Sequence, residues 1–87
     1  MTSDALRDTF GFTPTELRLA VALVTRKGEV VTRETLLIEV WGIPERMAGR
    51  MQTRVVDMTI KRVRTKMVAY GVIKSVRGFG YRFELEK

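Results

Sequence analysis

Between residues 53 and 70 the chain carries a pattern that a helix satisfies and a strand does not. Val56, Ile60, Val63 and Met67 recur at spacings of four, three and four, and most of what lies between them is charged or polar. At the helical period these four side chains form one stripe, while Arg54, Met58, Thr59, Lys61, Arg62, Thr65 and Lys66 occupy the rest of the circumference. Such a helix buries one side and presents a largely cationic side to something else. Gly71 supplies its stop. The segment that follows alternates extended residues around a glycine pair, Val72 to Arg77 leading into Gly78-Phe79-Gly80 and Tyr81 to Leu85 leading out. It predicts a β-hairpin over 72–85.

Upstream, Thr13-Pro14-Thr15-Glu16 is a helix start. Thr13 can cap, Pro14 suits the first helical position, and Glu16 stands three residues on to close a capping box. Leu17, Ala20, Val21 and Val24 follow at helical spacing, and Gly28 offers a left-handed stop after Arg26 and Lys27, so a first helix is predicted from Pro14 to about Lys27. Glu29-Val30-Val31 reads as a short extended link. Thr32 then caps a second helix whose apolar face is Leu36, Leu37, Val40 and Trp41, ended by Gly42 and Pro44. Gly42 to Gln52 mixes glycine, proline, arginine and methionine without period and reads as a loop. The expectation is one α+β domain over 1–87. Residues 1–9 form an N-terminal arm, and three helices are followed by a C-terminal hairpin, the winged helix-turn-helix order.

Composition sets the function classes. The 87 residues contain no histidine and no cysteine, which removes disulfides, thiol chemistry and the usual zinc ligands. Catalysis would then depend on carboxylates, and no pair of them has a spacing that implies a shared site, so neither an enzyme nor a bound metal is expected. Gly78 and Gly80 belong to no phosphate-binding motif, since no Gly-Lys-Ser/Thr follows and no helix is predicted after them; no cofactor is expected. No stretch approaches the roughly eighteen apolar residues of a membrane span, and MTSDALRDT has no apolar signal segment, so a cytoplasmic, nucleoid-associated protein is expected. The net charge of +6 is unevenly placed. Residues 1–45 hold five Lys/Arg against seven Asp/Glu, and residues 46–87 hold eleven against three. A basic C-terminal half fits either a polyanionic partner or a merely solvated surface.

Spacing on the third helix points to the polyanion. A helix fits the major groove of B-DNA, where base edges display a pattern that side chains can read. Val55, Met58, Thr59, Arg62 and Lys66 fall on one predicted outward stripe of the third helix. Arg62 is the candidate for a guanine, and Thr59 for a base or phosphate. Val55 and Met58 are candidates for a thymine methyl, with the core edge an equal alternative for Met58. Arg54, Lys61, Arg64 and Lys66 on the flanks are candidates for phosphates, with an internal ion pair to Asp57 or Glu39 as the alternative for Arg64. Asp57 is expected to pair with Lys61, four residues on, and to serve structure alone. Arg77, before the glycine turn, is either a minor-groove side chain or a solvated turn residue. Tyr81, Phe83 and Trp41 are expected to pack, with the Trp41 indole N–H reaching a phosphate as a second role.

Taken together, Thr13-Pro14-Thr15-Glu16-Leu17, Val31-Thr32-Arg33-Glu34, Val40-Trp41, Arg54-Val55-Val56-Asp57-Met58 and Val76-Arg77-Gly78-Phe79-Gly80-Tyr81-Arg82-Phe83 resemble the effector domain of OmpR/PhoB-type response regulators over residues 10–85. The resemblance implies base readout by Arg62, a minor-groove role for Arg77, and phosphate contacts by Arg54, Arg64 and Trp41. It also implies a loop between the second and third helices that meets RNA polymerase, and head-to-tail pairing on direct repeats. Family members begin with a sheet of about four strands. Nine residues precede Phe10 here, so a sheet that is missing or reduced to one strand is expected, together with a small stand-alone regulator lacking a phosphoacceptor domain. Thr59 stands where many members carry histidine, which is expected to alter sequence preference.

Three functions remain to be weighed. A sequence-specific regulator of transcription uses both the packing stripe and the mixed reading stripe of the third helix. A protein-interaction module would use the loop side chains Arg46, Met47, Arg50 and Met51 on RNA polymerase or another regulator. A general nucleoid binder needs only the charge.

Overall fold

The computed structural model describes residues 11–85; the arm expected at 1–9 lies outside the described residues. Helix α1 spans Pro14–Val24 and begins with the anticipated capping box. The Glu16 N–H donates to Thr13 Oγ1 at 3.3 Å, and the Thr13 N–H donates to Glu16 Oε1 at 3.0 Å. It ends three residues before Lys27. The chain then turns through two left-handed residues, Lys27 at φ 50° and Gly28 at φ 91°, while Arg26 Nη1 donates to the Ala22 carbonyl at 3.0 Å. Its buried side is Leu19, Ala20 and Leu23 together with Glu16, whereas Leu17, Val21 and Val24 are only half-buried. The predicted face is therefore rotated from the real one. Seven consecutive residues from Leu17 to Leu23 include only one polar side chain, Arg18, and such a run does not fix the helix phase.

Strand β1, Val31–Thr32, leads directly into helix α2, Arg33–Trp41. Thr32 caps that helix by accepting from the Thr35 N–H at 3.0 Å, and Gly42 closes it at φ 68°. Leu36, Leu37 and Val40 are buried as expected, and Trp41 packs half-buried against the core. The stretch from 42 to 52 is not wholly loop. Glu45–Ala48 forms the one-turn helix α3, pinned by the fully buried Ala48, a single small residue too slight to register as periodicity. Helix α4 spans Arg54–Lys66, shorter than 53–70 at its end: Met67 is its C-cap, and Gly71, expected as the stop, is already the first residue of the following strand. Its stripe is buried in full, with Val56, Ile60, Val63 and Met67 at most 1% exposed.

Strands β2, Gly71–Val76, and β3, Gly80–Leu85, form the hairpin, and β1 joins the far side of β3 to give the antiparallel order β1-β3-β2. Alternation puts Ile73, Tyr81 and Phe83, with Val31 from β1, onto the helices in one continuous core. Gly80 is required by that joint. It pairs with Thr32 so closely that a Cβ there would stand 2.0 Å from the Val31 carbonyl oxygen. The hairpin is thus fastened to the start of α2 at one end of β3 and free at its turn.

Candidate nucleic-acid interface

Because α4 buries one stripe completely, its opposite side is fixed in direction. Val55 and Met58 are 41% and 48% exposed, and Arg54, Lys61, Arg62 and Thr65 are exposed beside them. Val55, Met58 and Arg62 stand at i, i+3 and i+7 on one line. Met58, Lys61, Arg62, Thr65 and Lys66 line a shallow groove open to solvent. Met58 therefore lies on the surface and not at the edge of the core.

Thr59 does not join this line. It is buried at 5% exposure, and its hydroxyl donates to the Val55 carbonyl at 2.8 Å, the bond to the preceding turn that threonine makes within helices. Its place beside Ile60 and three residues after Val56 puts it at the margin of the buried stripe. Lys66 also departs from expectation, since its ammonium donates to Glu16 Oε1 and to the Gly11 carbonyl, 3.1 Å away. Burial pushes the Glu16 carboxyl up, but hydrogen bonds from Lys66 and the Thr13 backbone, with the Lys66 charge, outweigh it and hold Glu16 below the ordinary glutamate range. Arg64 pairs with neither Asp57 nor Glu39. Its Nε donates to the Ile73 carbonyl at 3.1 Å and its Nη2 to Ser75 Oγ at 3.3 Å, which ties α4 to β2. A guanidinium has five donors, so Arg64 keeps three for an outside acceptor.

Asp57 turns away from Lys61. It accepts from Arg33 Nε at 2.8 Å and from the Tyr81 hydroxyl, and Arg33 Nη2 in turn donates to Tyr81 Oη at 3.3 Å. The Arg33 guanidinium also lies 4.8 Å from the Tyr81 ring centroid. Burial raises the Asp57 carboxyl, but the Tyr81 and Arg33 hydrogen bonds and the Arg33 charge prevail and hold it below the ordinary aspartate range. The hydrogen bond to Asp57 holds Arg33 more firmly protonated, and burial together with that carboxylate pushes the Tyr81 phenol up. One three-residue cluster thus joins α2, α4 and β3. Sequence reasoning missed Arg33 and the polar role of Tyr81. Asp57 follows the buried Val56 directly, and that place at the margin of the buried stripe is the signal that could have pointed to a partner on a neighbouring element.

With Arg64, Lys66 and Arg33 engaged, Arg54, Lys61, Arg62 and Arg77 are exposed and make no ion pair among the described residues. Three lie on α4 and the fourth begins the hairpin turn. Arg46, Met47, Arg50 and Met51 are exposed on and after α3, remote in character from the packed side marked by Ala48. Among the described residues no cluster of acidic side chains is arranged to hold a metal, and no helix is long and apolar enough to cross a membrane.

The family described as "Transcriptional regulatory protein, C terminal" matches residues 7–83. The chain belongs to this family. Its members are the OmpR/PhoB-type winged-helix DNA-binding domains of response regulators, effector domains and not enzymes. The chain is 40% identical over 74 residues to the transcriptional regulatory protein CseB of Streptomyces coelicolor, a match covering 85% of this chain and 30% of that protein. It is 41% identical over 81 residues to PhoP of Bacillus subtilis, the alkaline phosphatase synthesis transcriptional regulatory protein, covering 86% and 31%. The chain thus spans about a third of the length of these relatives. Among solved structures, the DNA-binding domain of Bacillus subtilis CssR matches with a TM-score of 0.73 at 32% identity, covering 86% of this chain and 80% of that one. The DNA-binding domain of Klebsiella pneumoniae RstA, solved in complex with the RstA box, matches with a TM-score of 0.69 at 30% identity, covering 83% and 71%.

Proposed function

We propose that this OmpR/PhoB-type domain is a sequence-specific double-stranded DNA-binding regulator of transcription that lays α4 in the major groove and the turn of the β2–β3 wing in the minor groove. The observation that carries this reading is the line Val55, Met58 and Arg62, two apolar side chains and a guanidinium unpaired among the described residues, on the outer side of a helix whose inner side is fully buried. Arg62 offers two parallel donors to a guanine edge, and Val55 and Met58 offer apolar contact to thymine methyls. Arg54 and Lys61 neutralise phosphates on either flank, assisted by the remaining donors of Arg64 and the indole of Trp41. Lys66 contributes least, its charge being offset by Glu16. Arg77 enters the minor groove, whose negative potential attracts a guanidinium. The RstA domain, solved with its DNA box, supports the same use of the fold.

On this reading the protein acts in the cytoplasm at the nucleoid, head-to-tail pairing on direct repeats sets its stoichiometry, and the α3 segment serves as a contact for RNA polymerase or another regulator. A second function, protein interaction alone, is favoured at that segment by the exposure of Met47 at 45% and Met51 at 39%. Alanine at both positions would then abolish regulation and spare DNA affinity.

The test is selection of bound sequences from a random duplex pool near physiological salt, followed by affinity measurements on the enriched motif and on scrambled DNA. A motif bound about 1,000-fold or more tighter than scrambled DNA supports the proposal. Measurable binding with no enriched motif indicates a general nucleoid binder instead, and negligible binding leaves protein interaction as the function.

A further inference from the structure

Six aromatic side chains fall among the described residues, and five of them work for the core: Phe12, Tyr81 and Phe83 are buried in it, and Trp41 and Tyr70 pack against it. The sixth, Phe79, is 67% exposed at the tip of the β2–β3 turn. In a domain of this size the core uses nearly every aromatic available, and this one is instead held at the tip of the wing, two residues from the exposed Arg77. We propose that Phe79 is an apolar wedge for the minor groove, packing its ring against deoxyribose and the edge of a base step beside Arg77, and so adding a preference for deformable steps beneath the wing. This rests on the reading of the chain as a DNA-binding domain.

The turn is built to hold this side chain outward. The Phe79 N–H donates to the Val76 carbonyl at 2.9 Å, and Gly78 takes φ 83°, a conformation that spares the turn a second side chain. Gly80, the next residue, is wedged against the Val31 carbonyl and the Thr32 backbone. Phe79 is therefore pinned on both sides, and little backbone freedom is lost when its ring is buried by a partner.

The charge around the ring selects the partner. Arg77, two residues away, is exposed and without an ion pair among the described residues. The wing's acidic residue among those described, Glu84, pairs in register with Val72 at the far end of the hairpin and is held by Lys74 at 3.0 Å and by Arg82. The tip thus presents a flat apolar ring beside an uncompensated cation. A narrow groove with phosphates at its rims and sugar carbons on its walls complements both, and apolar side chains inserted there partly unstack a step. Pyrimidine–purine steps yield most readily.

The experiment uses the motif selected by the whole chain, with 2-aminopurine placed in turn at each position under the wing, and compares wild type, Phe79→Leu and Phe79→Ala. Because the ring makes no core contact, both variants should melt at the wild-type temperature. Wild type should raise the fluorescence at one step. Phe79→Ala should abolish that rise and weaken motif binding about tenfold, within the range for losing one aromatic stacking contact, and Phe79→Leu should retain part of both. Wild-type fluorescence and affinity in Phe79→Ala would overturn the proposal alone, as would unchanged DNA binding accompanied by loss of a contact with a second copy or another protein. Failure of the wild type to bind any duplex would overturn the DNA-binding reading, and the wedge with it.

Discussion

An alanine at position 80 should unfasten the wing. Its Cβ would stand 2.0 Å from the Val31 carbonyl oxygen, 2.8 Å from Thr32 Cα and 2.9 Å from the Val31 carbonyl carbon. All three neighbours are backbone, so no side-chain rotation relieves the overlap. Reaching ordinary contact at about 3.4 Å requires β1 and β3 to part by more than an ångström, which a packed interior resists. That displacement breaks a ladder only two residues long, Val31↔Tyr81 and Thr32↔Gly80, and draws the buried Val31 and Tyr81 out of register with the core. Backbone hydrogen bonds contribute about 1 kcal/mol each, and loosening two buried side chains costs a similar amount, so the total is roughly 2–4 kcal/mol. For a domain this small each kcal/mol lowers the melting temperature by about 4–8 °C, which places Gly80→Ala about 10–30 °C below wild type by circular dichroism. Gly49→Ala is the control. Gly49 has φ −70° and ψ −12°, and its Cβ would meet nothing nearer than the Glu34 carboxylate at 3.9 Å, so that variant should melt within about 3 °C of wild type or slightly above it. A Gly80→Ala protein that melts within about 3 °C of wild type would refute the close packing of β1 on β3.

Three further outcomes follow from the polar contacts. Asp57→Ala removes the acceptor for both Arg33 and Tyr81 and should destabilise the fold by about 1–3 kcal/mol in urea, with Tyr81→Phe costing less because Arg33 and Asp57 keep their own bond. Glu16 and Asp57 both have folded-state pKa values depressed below their unfolded ones, so the stability they supply is present above the unfolded value and is lost as pH falls through the folded one. The urea midpoint should therefore drop below about pH 4, and Glu16→Gln should be less stable near neutrality with a flatter acid limb; a parallel limb would contradict the Glu16–Lys66 pairing. Lys61→Ala should lower the slope of log affinity against log salt by about 1 on any duplex, whereas an unchanged slope would remove Lys61 from the phosphate contacts.

How much of this was legible in the sequence depended on how sharply each segment's neighbours disagreed in polarity. In α4 the apolar residues stand alone among charges, and Val56, Ile60, Val63 and Met67 could be assigned to the core by spacing. In α1 the apolar run is nearly unbroken, and the buried face emerged only from packing, with Leu19 and Leu23 inside and Leu17 and Val24 at the margin. Helix caps and glycine stops are local chemistry and were readable at Thr13, Thr32 and Gly42. Side-chain partners are not local. Asp57 lies four residues from Lys61 but bonds Arg33 and Tyr81, each 24 residues away, and Lys66 reaches Glu16 across 50. Thr59 shows the same limit within one helix, where a polar residue at a buried margin satisfied itself on the Val55 carbonyl and left the outward line.

The central claim, that the outer line of α4 reads bases, is tested most directly by comparing Arg62→Ala with wild type on the selected motif and on scrambled DNA of the same length. Arg62 is exposed and unpaired among the described residues, so its removal should leave the melting temperature unchanged. If it contacts a base, affinity for the motif should fall by about 1–3 kcal/mol, roughly 5- to 150-fold, with a much smaller loss on scrambled DNA and relaxed preference at one position. Equal losses on both duplexes would make Arg62 one more phosphate contact and would contradict sequence readout by this helix.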